Sequence, residues 1–214
     1  GNSGELNPGD VQWMTAGRGI IHCEEPHEEF LKTGGRTHGF QIWVNLPSSH
    51  KMMEPRYQEI PSLESPTVEQ DGVWARVIAG ECMGITSSID TKIPITLIHV
   101  KMNPESRLVQ QLQADLNGMI YVFGGGINLE NETRVKKSPI AFGIGAKQGI
   151  QDGELALLSE GEEIVIKSQE GAEFLIFAGP ELNEPIERYG PFVMNTKEEI
   201  HQAFSDYQNG TFVN

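Results

Sequence analysis

The segment Gly17-Arg18-Gly19-Ile20-Ile21-His22-Cys23-Glu24 sets an imidazole and a carboxylate two positions apart. On a strand, side chains at i and i+2 share a face, so His22 and Glu24 would be presented side by side. Mixed nitrogen and oxygen donors suit a non-haem Fe(II), or a divalent metal of similar taste, with positions left open for oxygen or substrate. The same spacing also describes a surface hydrogen-bonded pair, and two ligands alone hold no metal tightly. Cys23 would face away from the pair and reads as a small core residue rather than a thiolate. His27, His38, His50, His99 and His201 fall in no His-x-His spacing that would complete a shell, and His27 sits among Glu24, Glu25, Glu28 and Glu29 as a solvated loop residue.

The elements that must position this pair read as strands. Short apolar or alternating runs recur between Gly and Pro turns: Val11 to Met14, Ile20 to Glu24, Phe40 to Leu46, Val73 to Ala79, Ile95 to Val100, Met119 to Phe123, Ile164 to Ile166 and Phe174 to Ala178. A helical period is clear only near the end. There Thr196-x-x-Glu199 reads as a capping box, Ile200, Ala203, Phe204 and Tyr207 form one face, and Gly210 is the stop. The Pro-, Ser- and Glu-rich stretch from Pro55 to Gly72 has no period and reads as a linker. Leu6-x-x-Gly9-Asp10 and Leu158-x-x-Gly161-Glu162 share a turn pattern, and Phe40-Gln-Ile-Trp-Val resembles Phe174-Leu-Ile-Phe-Ala. These matches suggest two related β domains, against the alternative of chance likeness between β-rich stretches.

Several glycine and charge motifs carry less. Gly124-Gly-Gly126 reads as a hairpin turn, because no apolar helix follows it to make a phosphate cradle. Gly143-Ile-Gly145 followed by Gly149 misses dinucleotide spacing by one residue. Asn131-Glu-Thr133 and Asn209-Gly-Thr211 would be glycosylation acceptors only on a secreted chain. Against 30 acidic residues stand 16 basic ones, a formal charge of −14, and the densest basic cluster, Arg134-Val-Lys-Lys137, is short. Direct nucleic-acid binding is therefore not expected. Apolar runs such as Phe174 to Ala178 fall far short of the roughly 20 residues of a membrane span. Two cysteines and no visible signal peptide suit a reduced cytoplasmic setting, or a nuclear one in a eukaryote. The chain opens on Gly1 rather than Met, so an upstream segment is expected to be missing.

The run Gly4 to Glu24, then His38-Gly-Phe-Gln-Ile-Trp-Val-Asn-Leu46, then Gly190-Pro-Phe-Val-Met-Asn-Thr-Lys-Glu-Glu-Ile200, closely resembles the pirin family, and the likeness extends through nearly the whole chain. Relative to the generic cupin motif, Thr15 replaces a proline and His22 arrives two residues late, as in pirins. The resemblance implies a mainly β fold of two cupin-type antiparallel β-barrels, the first incomplete here, plus a C-terminal helix. Residues 1–56 would be the C-terminal part of the N-terminal cupin domain, 57–72 a linker, and 73–214 the C-terminal cupin domain with the terminal helix. It also implies one iron, held in the N-terminal domain by three histidines and a glutamate, with other divalent metals as alternatives. His22 and Glu24 match half of that set, and the other half is a His-x-His motif that the family places upstream of Gly1. In the second barrel, Gln110, Gln111 and Gln113 are poor ligands, so that barrel is expected to be structural.

Two functions follow from the resemblance. One is an iron-dependent dioxygenase acting on a flavonol such as quercetin, with Glu24 as the catalytic residue that takes the 3-hydroxyl proton and Trp13 as a pocket wall or a core residue. The other is an iron-dependent redox-sensing coregulator that binds a transcription factor without catalysis, for which an acidic surface suits a basic protein partner.

Overall fold

The computed structural model describes residues 3–130, 149–158 and 161–213. The Asn131 glycosylation motif, the basic cluster at 134–137 and the glycine pair at 143 and 145 lie outside them. The chain divides into two compact units, residues 1–59 with 182–214, and residues 60–181.

The second unit is an antiparallel sheet built from β3 (Thr67–Gln70), β4 (Val73–Ala79), β7 (Thr96–Met102), β8 (Ser106–Gln111), β9 (Asn117–Leu129), β12 (Glu163–Ser168) and β13 (Ala172–Gly179), in the order β3-β4-β7-β13-β9-β12-β8. The short strands β10 (Ile150–Gln151) and β11 (Leu155–Leu157) pair with β9, while β5 (Glu81–Cys82) and β6 (Ile85–Thr86) form a separate hairpin. Alternation along these runs puts every second residue into one core. A row of paired positions, Ala75, Val100, Phe174 and Val122, crosses four adjacent strands, and all four side chains are buried. Fully burying a side chain of the Val or Phe class contributes about 1.5–3 kcal/mol, and the row belongs to a larger buried core that includes Ile98, Ile120 and Ile176.

Two expectations meet corrections here. Gly124-Gly-Gly126 is not a hairpin turn: it lies inside the long strand β9, where pairing with β13 shifts register between Glu173 and Phe174. The three glycines serve a bulge, whose cause is a partner strand distant in sequence. The stretch from Pro55 to Gly72 holds strands, namely β2 (Arg56–Ile60) and β3, and β3 turns into β4 through Asp71-Gly72, a dipeptide suited to a tight hairpin. The terminal segment 182–214 groups with residues 1–59 rather than with the sheet it follows.

In the first unit β1 (Val11–Thr15) pairs with β2, and β14 (Glu187–Tyr189) pairs with β15 (Phe192–Met194). The helices are α1 (Glu28–Thr33), α2 (Ser48–Lys51) and α3 (Lys197–Asn209). Helix α3 starts as expected: Thr196 Oγ1 accepts from the Glu199 N–H at 3.2 Å, and Glu199 Oε2 accepts from the Thr196 N–H at 2.8 Å. Gly210 ends it in a left-handed conformation. Ile200 is buried, Phe204 packs edge-on against Tyr189 and Phe192, and Tyr207 meets Phe212. Glu184 ties this segment to α2, accepting from the Ser48 N–H at 2.7 Å, from the Ser48 hydroxyl at 2.9 Å and from Asn195 Nδ2 at 3.2 Å. The expected strands at 20–24 and 40–46 do not form; both stretches are irregular, and Phe40, Ile42, Trp43 and Val44 are exposed. Among the described residues, no helix is long and apolar enough to cross a membrane.

Candidate metal centre

His22 and Glu24 stand on the irregular segment between the Gly17–Gly19 turn and α1. Their side chains nevertheless converge: His22 Nδ1 lies 3.8 Å from Glu24 Oε1, with 34% and 59% of the two side chains exposed. Adjacent donors on one divalent ion with bonds of about 2.1 Å stand about 3.0–3.4 Å apart, so the two side chains would have to draw slightly closer to share one. Gln41 Nε2 donates to Glu24 Oε2 at 3.5 Å, which leaves Oε1 on the His22 side. That amide holds the carboxylate as an outer-shell partner would. Gln41 stood within the His38 to Leu46 run, but nothing in its spacing links it to Glu24.

The described residues offer this pair no third donor: they contain no group of three His, Cys, Asp or Glu side chains able to hold a metal ion. His27 is exposed and lies outside any helix or strand, as the sequence suggests, and it is also engaged. Its Nδ1 caps α1 by accepting from the Glu29 N–H at 3.3 Å, and its Nε2 lies 3.3 Å from Glu5 Oε1. Cys23 is exposed, contrary to the core position expected for it. Its thiol donates to Glu25 Oε1 at 3.3 Å, and that hydrogen bond, with the repulsion of Glu25 and Glu24 for a thiolate, pushes the thiol pKa up. It stays a thiol rather than a nucleophile.

The second unit answers the same question differently. Gln110 is buried on β8, where its Nε2 donates to the carbonyls of Glu81 at 2.9 Å and Gln111 at 2.7 Å. It serves backbone rather than ligand. His99, on β7, donates through Nε2 to Glu173 Oε1 at 2.8 Å, and Lys101 Nζ also meets that oxygen at 3.2 Å. The rings of Trp74 and Phe123 flank it at 5.3 and 5.6 Å. Burial lowers its pKa, opposed by the hydrogen bond to Glu173. Cys82 is buried in the core of this unit, and burial raises its pKa to about 11.

The sequence matches two family profiles: that of the pirin C-terminal cupin domain over residues 97–213, and that of pirin over residues 1–44. Human Pirin is 39% identical over 211 residues, spanning 98% of this chain and 67% of its own length. Pirin-1 of Arabidopsis thaliana is 39% identical over 209 residues, 98% of this chain and 68% of its own. Among solved structures, the quercetin 2,3-dioxygenase of Acinetobacter baumannii superposes with a TM-score of 0.80 at 35% identity, over 95% of this chain and 67% of that one. GK1651 of Geobacillus kaustophilus gives 0.68 at 34% identity, over 84% and 67%. The chain thus spans about two-thirds of each relative. The profile matches, the 39% identity to human Pirin over 98% of this chain and the superposition at a TM-score of 0.80 agree on one assignment: this chain belongs to the pirin family.

Proposed function

We propose that His22 and Glu24 are two of the protein ligands of a metal centre, with iron as the metal, in a dioxygenase that acts on a flavonol such as quercetin. The observation that carries this reading is the 3.8 Å approach of His22 Nδ1 and Glu24 Oε1 on a solvent-open segment of a chain 35% identical to a quercetin 2,3-dioxygenase. Residues 1–56 then correspond to the later part of the metal-binding cupin domain, and the two further ligands are the His-x-His pair that the family resemblance implies. Bound there, the metal would act as a Lewis acid on the substrate's enolate oxygens and supply the redox chemistry with O2. Glu24 would be the base: its Oε2, turned away from His22, would take the flavonol 3-hydroxyl proton in place of the long 3.5 Å contact from the Gln41 amide. His22 orients the site through its ring nitrogen.

A second reading, an iron-dependent redox-sensing coregulator that docks on a transcription factor without catalysis, is favoured by the charge of −14, which suits a basic protein surface. Free cysteines at 23 and 82 support a cytoplasmic or nuclear setting for either. Anaerobic titration of the metal-loaded, full-length protein with quercetin separates the two. The dioxygenase shifts the flavonol spectrum on binding and consumes O2 when air is admitted; a coregulator does neither, and that outcome would overturn the catalytic reading.

A further inference from the structure

Glu24 turns its two oxygens to different neighbours: Oε1 lies 3.8 Å from His22 Nδ1, and Oε2 lies 3.5 Å from Gln41 Nε2. A carboxylate only accepts, so the nitrogen of the Gln41 amide, not its oxygen, is the group that faces Oε2. The contact is loose, since an N–H···O bond at its usual length measures about 2.9 Å. By contrast, the amide of buried Gln110 lies 2.9 and 2.7 Å from the two backbone carbonyls it serves.

A ligand oxygen can bond to both groups at once. An O–H···O bond of about 2.7 Å to Oε2 and an N–H···O bond of about 2.9 Å from Nε2 can meet at one atom, because together they exceed the 3.5 Å between the two groups. The atom at that point must donate to the carboxylate and accept from the amide. A hydroxyl does both. A carbonyl oxygen brings no proton for Oε2 and is repelled by it, and a C–H answers neither group.

We propose that Gln41 is a specificity-determining residue, whose Nε2–H donates to the same substrate oxygen that gives its proton to Glu24, so that the site selects a flavonol by its 3-hydroxyl. The inference rests on the reading of Glu24 as the base of a flavonol dioxygenase. On proton transfer the O–H bond of the substrate breaks and its electron pair stays on the substrate oxygen, while the proton forms a new O–H bond at Glu24 Oε2. The negative charge passes from the carboxylate to the substrate. Gln41 then donates to an oxyanion, a stronger hydrogen bond than the one it makes to the hydroxyl, and it stands where the charge develops. A site that pairs with a hydroxyl in this way rejects an analogue without one, because its own polar groups are left facing a C–H.

The test uses the full-length, iron-loaded protein kept anaerobic so that no turnover occurs, with Gln41→Leu and Gln41→Glu. Dissociation constants are read from the flavonoid absorption band for quercetin and for the flavone that lacks only its 3-hydroxyl, and iron per chain is measured on each variant. The parent is expected to prefer quercetin by about tenfold or more. Gln41→Leu should weaken quercetin about tenfold while leaving the 3-deoxy flavone within about twofold of the parent, so that the preference collapses. Gln41→Glu keeps the size of the side chain but sets a second carboxylate against the developing oxyanion, and should weaken quercetin at least as far. Both variants should keep the parent's iron. A preference that survives in Gln41→Leu, equal weakening of both flavonoids, or loss of iron overturns the role of Gln41 and leaves the dioxygenase reading standing. A parent that binds neither flavonoid overturns that reading, and the role of Gln41 with it; a parent that binds both equally well shows that no hydroxyl is selected and overturns the inference.

Discussion

The runs Phe174-Leu-Ile-Phe-Ala and Phe40-Gln-Ile-Trp-Val look alike in sequence and part ways in the structure. The first lies in β13 between β7 and β9, with Phe174 and Ile176 buried. The second is irregular, and Trp43 is 57% exposed. Alternation states what a strand would bury; a hydrogen-bonded neighbour makes it one. In the second unit the ladders of β7 and β9 hold the run on both edges, whereas residues 40–46 belong to no strand.

That contrast is broken or sharpened by substitutions in each region. The largest effect is expected at the ligands. In the full-length protein His22→Ala should lose bound metal and any dioxygenase rate together. Phe174→Ala should keep its metal while losing about 3 kcal/mol of stability to a buried cavity. Metal analysis and denaturant unfolding on both variants check the crossover, and unchanged metal in His22→Ala removes the histidine from the site. The 214-residue chain by itself should retain well under one iron after dialysis, because its described residues hold no group of three His, Cys, Asp or Glu side chains able to bind a metal and His27 is engaged elsewhere. Near-stoichiometric iron would mean that other ligands complete the shell.

Smaller effects are expected elsewhere in each unit. Gly17→Ala forces a side chain onto the Met53 carbonyl at φ +52 and should cost about 1–3 kcal/mol, read from the unfolding midpoint. Thr196→Ala removes one arm of the capping box and should cost about 1 kcal/mol, with no change in the second unit's melting. The smallest is a pH effect in that second unit. His99 has its pKa lowered by burial, so on acidification the unfolded chain takes up its proton first. Stability from this group is present above the ordinary histidine value of about 6.5 and is lost as pH falls toward the lower folded value. Glu173, desolvated but held by His99 and Lys101, also has a lowered pKa, and its loss comes at more acidic pH. Thermal melts between pH 7 and pH 5 should show this slope, and His99→Gln should flatten it.

What the sequence made legible was what is decided locally or by plain alternation. Thr196, Glu199 and Gly210 specify α3 within a few residues of themselves, and Val73 to Ala79 declares a strand with one buried face. The errors share one physical source, a partner distant in the chain. Gly124 to Gly126 resembles a hairpin until β13 is beside it, and Ile20 to Glu24 resembles a strand until its neighbours are known. His22 and Glu24 were legible as a pair, though the same-face argument that suggested them assumed a strand that does not form. Gln41 carried no signal, since its contact with Glu24 is one that spacing does not encode.

The central claim, that His22 and Glu24 form the metal-binding pair of this chain, is tested most directly by titrating the 214-residue chain with Mn(II) and following its histidine imidazole resonances by NMR. The account predicts that the His22 signals broaden first, at metal concentrations well below those affecting His27, His38 or His99, and recover on dialysis. His22 signals that persist while another histidine broadens would contradict it.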